Sequence, residues 1–189
     1  MKTLAIVLLI GATCFANDWY FEAKGGYFRP ESHVAKKIYG EGWPHFEVDA
    51  AYELSRDIEL WGSIGYLFNN GKSLGAHESA NVWILPLTLG SRYVYHFEAL
   101  DFYVGVGPRY FFYHEHAHSE WVKSQVSKNA IGGAALGGLR FEFLTHGVLD
   151  FFADYGYCKI KIPGSKPFVK GHTVQIGGWS VGIGVGYKL

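Results

Sequence analysis

The chain alternates apolar and polar side chains with a period of two along most of its length. Residues 45 to 54 set Phe46, Val48, Ala50, Tyr52 and Leu54 against Glu47, Asp49, Ala51 and Glu53. Residues 58 to 68 set Ile58, Leu60, Gly62, Ile64, Tyr66 and Phe68 against Glu59, Trp61, Ser63 and Gly65. In the last ten residues, SVGIGVGYKL, Val181, Ile183, Val185, Tyr187 and Leu189 form one face, and Ser180, Gly182, Gly184, Gly186 and Lys188 the other. Successive strand residues point to opposite sides of a sheet, so each segment is apolar on one face only. Such faces suit a wall with lipid outside and a packed lumen inside.

Eight segments of this kind are predicted: 18–29, 45–54, 58–68, 81–95, 101–113, 130–143, 148–157 and 173–189. Their connections alternate in length. Those at 55–57, 96–100 and 145–147 are short, whereas 30–44, 69–80, 114–129 and 158–172 are long and polar. Short turns at one end and long loops at the other are the pattern of an outer-membrane barrel, with the short side and both termini periplasmic. The expected fold is all-β, an eight-stranded antiparallel transmembrane β-barrel. Pro86 and Pro108 fall inside the fourth and fifth strands, where each removes a ladder donor, so a bulge or weakened pairing is expected there.

Composition favours lipid over water as the outer solvent. Hydrophobic residues make up 49% and aromatics 17% of the chain, with 25 glycines and no net formal charge. The charge balance argues against a nucleic-acid partner. Met1-Lys2, the apolar run Leu4 to Ile10 and the small residues up to Ala16 read as a secretory signal peptide. The expected division is therefore a signal peptide over 1–16 and an outer-membrane barrel domain over 17–189. Cleavage there removes Cys14 and leaves Cys158 alone, so no disulfide within the chain is expected. A soluble eight-stranded ligand barrel would bury the apolar faces instead. The signal peptide, the loop asymmetry and the aromatics near strand ends favour the membrane barrel.

With the strands laid out, residues 17–189 resemble the small eight-stranded outer-membrane barrel proteins, the OmpA-domain and OmpX-like group. The resemblance rests on YVGVGPRY in the fifth strand, GGAALGGLRF in the sixth and the terminal SVGIGVGYKL, in which Leu189 stands where that group most often has an aromatic. It implies residence in the outer membrane and assembly through the C-terminal strand by the barrel-assembly machinery. Contact with outer-membrane lipid and lipopolysaccharide and a monomeric state are also implied. Members of the group include structural and adhesive proteins, small channels and lipid-modifying enzymes. Cell-wall tethering, which a separate soluble domain supplies in some members, is not carried over.

Candidate chemistry is sparse. The inward faces carry Lys24, Arg92, Arg109, Arg140 and Lys188 with Glu22, Glu47, Asp49, Glu53, Glu59, Glu142, Asp150 and Asp154. An eight-stranded lumen is just wide enough for side chains to fill, so these charges are expected to close it as an ion-pair network, with a narrow small-solute channel as the alternative. His114, His116 and His118 share one strand face and are weak candidates for a transition metal; no closed ligand set is visible, and no cofactor is expected. His33, His45, His77 and His172 fall in or beside predicted exposed loops. His77-Glu78-Ser79 is similar to the His-x-Ser pair of outer-membrane lipid A deacylases, but the flanking residues differ and no orienting acid is identifiable, Glu115 on a neighbouring strand being a candidate only. The favoured expectation is non-enzymatic: a structural, adhesive or ligand-recognition role toward host or environmental surfaces. Tyr39, Trp43, Trp121 and Phe168 are the expected exposed loop anchors for it.

Overall fold

The computed structural model describes residues 19–72, 78–98, 100–117, 125–143, 146–162 and 172–189. The expected signal peptide, Trp121 and Phe168 lie outside these residues. Among the described residues, ten strands and one short helix follow in chain order: β1 Trp19–Pro30, α1 His33–Tyr39, β2 Trp43–Ser55, β3 Ile58–Lys72, β4 Ser79–Phe97 and β5 Leu100–Ala117. After these come β6 Gln125–Phe143, β7 Gly147–Tyr157, β8 Lys159–Ile162, β9 His172–Gln175 and β10 Gly178–Lys188. Eight of the strands close an antiparallel barrel in the order β1-β10-β7-β6-β5-β4-β3-β2, and β8 and β9 pair separately as a hairpin. None of the described helices is long and apolar enough to cross a membrane.

The alternation sets the wall. Leu60, Ile64, Leu89, Val106, Ile183 and Val185 point outward and are exposed, whereas Glu22, Asp49, Glu59, Arg92, Arg140 and Asp150 point inward and are buried. This inversion of the usual soluble pattern places apolar surface against lipid and encloses charge, as in transmembrane barrels.

Three differences from the sequence reading have physical causes. The long connections predicted at 69–80 and 114–129 are strand over 69–72, 79–80, 114–117 and 125–129, because the ladders run on to Lys72↔Ser79 and His116↔Gln125. There Asn70, Asn81 and Ser127 face outward into a polar zone while Ala80, Val82, Tyr113 and Val126 stay buried inside. The predicted eighth strand, 173–189, divides at Gly177. The ladder with β1 ends at Gly178↔Pro30, the last residue of β1, beyond which the Glu31 N–H donates to the Gly177 carbonyl at 3.1 Å. The segment before Gly177 turns away as β9 and pairs with β8, while Ile176 donates its N–H to the Cys158 carbonyl at 3.0 Å.

The third difference is α1, which falls in the predicted 30–44 loop. Ser32 caps it by accepting from the Ala35 N–H at 3.4 Å, and Gly40, at φ 81°, closes it with its N–H on the Lys36 carbonyl. A helix of one or two turns is marginal alone, so its docking holds it.

Pro86 and Pro108 act as expected, by weakened pairing without a bulge. The β3–β4 ladder lapses between Ile64↔Leu87 and Leu67↔Ile84, and the β4–β5 ladder lapses between Thr88↔Arg109 and Ser91↔Val106. The register is unchanged across both gaps.

Candidate functional site

The lumen is a stack of layers. At the periplasmic end Tyr20, Trp61, Tyr103, Leu136 and Val148 pack with Ala51 and Val94. Lys188 spans the mouth below, 4.0 Å from Glu53 and 3.5 Å from Glu142, and His96 bonds Asp101 at 2.7 Å.

Charges fill the middle. The Lys24 ammonium contacts Glu22 at 2.9 Å, Asp49 at 2.8 Å and Asp150 at 3.0 Å. Arg140 reaches Glu59 at 2.9 Å and Glu22 at 3.2 Å, and Arg92 reaches Glu59 at 2.7 Å. The Tyr103 ring lies among these cations, 5.1 Å from Arg92, 5.3 Å from Arg140 and 5.8 Å from Lys24, while its hydroxyl donates to Asp150 at 2.8 Å. Next to this layer Arg109 holds Asp154 through two nitrogens, at 2.6 and 2.8 Å, and donates from Nε to Thr88. Such fork-to-fork geometry is what makes a buried pair tolerable. Of the inward charges read from the sequence, Lys24, Arg92, Arg140, Glu22, Asp49, Glu59 and Asp150 form one network, Arg109 with Asp154 and Lys188 with Glu53 and Glu142 pair apart from it, and Glu47 faces the His45 ring at 3.7 Å.

The extracellular third is apolar. Phe28, Trp43, Leu67, Ile84, Phe111 and Ile160 form its centre, with Tyr39, Tyr113, Cys158 and Ile176 around them. Helix α1 lies across the mouth. Tyr39 donates to Glu115 at 2.6 Å, Tyr113 donates to the other oxygen of the same carboxylate at 2.6 Å, and Asn69 donates to the carbonyls of Tyr39 and Gly42.

Several expectations are corrected here. Tyr39 and Trp43 are not exposed anchors: both are buried in the apolar layer, with Trp43 against Phe28 and Tyr39. His45, beside the predicted loop, belongs to β2 and is not exposed. It is buried in the lumen on the inward register of β2, against Phe152 and 3.7 Å from Glu47, and neither ring nitrogen has a hydrogen-bond partner among the described residues. Counting back by twos from Asp49 and Glu47 reaches His45 and then Trp43, so the alternation held the signal that would have placed both.

His114 and His116 lie on one face of β5, whereas His118 lies outside the described residues. The His114 ring stacks on Trp83, with Nδ1 bonded to Ser127 at 2.7 Å and Nε2 to Gln125 at 3.3 Å. Among the described residues no three metal-ligating side chains gather. His77 also lies outside the described residues, and Glu115, the candidate orienting acid, is engaged by the two tyrosines above.

No family model matches the chain, and neither does any curated protein. Solved structures do share its fold. The outer membrane protein OprG from Pseudomonas aeruginosa is 19% identical, with a TM-score of 0.72 over 92% of this chain and 96% of that one. Neisserial surface protein A is 14% identical, with a TM-score of 0.60 over 90% and 97%. Ail, the attachment invasion locus protein of Yersinia pestis, solved with the heparin analogue sucrose octasulfate, is 15% identical, with a TM-score of 0.52 over 89% and 96%. The chain therefore has the fold of the small eight-stranded outer-membrane barrels, and its exposed apolar belt seats it in that membrane.

Proposed function

We propose that this chain is a non-enzymatic surface protein of the outer membrane: a closed, monomeric scaffold whose extracellular end recognises host or environmental ligands. The observation that carries the reading is the filled lumen. An aromatic layer, a paired charge layer and an apolar layer capped by α1 leave rigidity, not passage, as what the interior supplies. Recognition on such scaffolds usually sits in the connections they hold. The heparin analogue bound to Ail supports this reading, in that a barrel of this fold can present a surface to a sulfated sugar. The terminal strand β10 is the element through which the barrel-assembly machinery would act.

Planar-bilayer recording of the refolded protein tests the reading. No discrete current steps above the lipid background are expected, and steady single-channel steps would replace the scaffold with a pore. Mass spectrometry of lipid A from expressing cells tests the absence of an activity, since loss of an acyl chain would make the chain a lipid-modifying enzyme. Binding to immobilised sulfated glycan or to host cells tests the recognition itself.

A further inference from the structure

The outward register of β7 does not stop at the rim of the barrel. Phe151, Ala153 and Tyr157 face out along the strand, Leu149 and Tyr155 are half-exposed beside them, and Lys159 and Lys161 of β8 continue the same odd-numbered series. The even-numbered Cys158 and Ile160 turn into the upper core, which keeps β8 in step with β7.

At about 3.3 Å per residue and a tilt of roughly 40°, the rise from Leu149 to Tyr157 covers about 20 Å of depth, most of a ~25 Å apolar band. The two lysines therefore stand just beyond the aromatic girdle on the long-loop side, at the level of outer-leaflet headgroups. Tyr155 and Trp179, with centroids 4.7 Å apart, form part of that girdle. Ile131, whose carbonyl accepts from the Cys158 thiol at 3.6 Å, is 73% exposed on the β6 side.

Among the described residues no carboxylate lies within ion-pair distance of either lysine, and Glu31 acts on Lys159 only from farther off. Lys159 lies 5.5 Å from the centre of the Tyr157 ring, and neither lysine makes an ion pair among the described residues. The carboxylate of Glu31 accepts instead from the Tyr155 hydroxyl at 2.6 Å and from the amide of Gln175, the register partner of Lys159. Among the described residues, two cations and one carboxylate leave this face net positive, directly above apolar surface. That is the profile of a ligand with a phosphate head and acyl chains.

We propose that Lys159 and Lys161 form a binding site for the phosphate of an outer-leaflet glycolipid whose acyl chains lie along the outward face of β7. The site rests on the membrane seat of the barrel and is independent of the recognition role proposed above.

The test is retention of a phosphorylated lipid A-type glycolipid by the protein in phosphatidylcholine nanodiscs, read by native mass spectrometry. Lys159→Gln/Lys161→Gln should lower apparent affinity roughly thirtyfold, about fivefold per lysine, the scale on which basic side chains act at an anionic membrane surface. The dephosphorylated glycolipid should bind the wild type as weakly as the phosphorylated form binds the variant. Lys36→Gln/Lys37→Gln on α1 should change nothing, and heat-modifiable gel mobility reports that both variants remain folded. Equal retention by wild type and the Lys159/Lys161 variant overturns the site. So does equal retention of both glycolipids, and binding of inorganic phosphate as tight as that of the glycolipid would overturn the assignment to a lipid.

Discussion

Tyr39 of α1 donates to Glu115 of β5 across 76 residues of sequence, and that bond ties the short helix over the extracellular mouth. Glu115 also accepts from Tyr113, so one carboxylate fastens the cap to the barrel wall. In Tyr39→Phe the ring still fills the apolar layer but the donor is gone. Trypsin cleavage after Lys36 or Lys37 should then run roughly tenfold faster, because a hydrogen bond to a charged acceptor is worth about 1.5–3 kcal/mol and the low end applies to the half-buried Glu115. An unchanged rate would mean that packing alone holds α1.

The same bond has an alkaline limit. Burial, and then the facing Glu115 carboxylate, hold the Tyr39 phenol above the ordinary tyrosine range. A raised folded value means that the contribution is fully present below the unfolded value near ~10 and is lost as pH climbs from there through the folded value. The difference in tyrosinate absorbance between wild type and Tyr39→Phe should titrate above ~10. A midpoint at or below it would show that α1 is not docked in solution.

In the middle of the lumen Lys24 is the cation shared by Glu22, Asp49 and Asp150. Lys24→Met keeps most of the volume and leaves these buried carboxylates short of one charge. Removing one side of a buried pair costs about 3–5 kcal/mol, and the loss should show in urea unfolding of the refolded barrel in vesicles. Adding Asp49→Asn should recover part of it, because it removes one of the carboxylates left uncompensated. A double variant no more stable than Lys24→Met would mean that Arg92, 3.7 Å from Asp49, already compensates.

The wall and the contents of the lumen were legible in the sequence because both follow from alternation, which needs no knowledge of partners. Asp49, Arg92 and Asp150 read inward in the sequence and are inward in the structure. The cap was not legible. Tyr39 sits in a polar stretch between strands, and its burial depends on Asn69, Gly71 and Glu115, which pairing brings near only in three dimensions. The extent of β3 to β6 was underestimated for a related reason. Beyond the lipid the outward residues turn polar and the alternation fades, although ladder pairing and the inward apolar residues continue. His45 stands at the border of a predicted loop and opens the predicted second strand, and its inward direction follows from its register with Glu47.

The lipid-facing side of β10 provides a depth gauge for the membrane seat. Ile183 pairs with Gly25 and Phe151 near the middle of the wall, whereas Tyr187 pairs with Phe21 and Gly147 at the periplasmic end. Both are more than half exposed, so neither substitution disturbs the lumen. Ile183→Arg should destabilise the folded barrel in vesicles by about 2–4 kcal/mol, and Tyr187→Arg by about 0–1 kcal/mol, because the cost of a cation falls from the bilayer midplane to the interface. Val181→Arg and Val185→Arg should fall between these limits. Urea titrations of the variants, with folding followed by heat-modifiable mobility, measure the profile. Four equal costs would indicate a wall that is not graded by bilayer depth, and a maximum at Tyr187 would place the membrane lower on the barrel than its aromatic residues do.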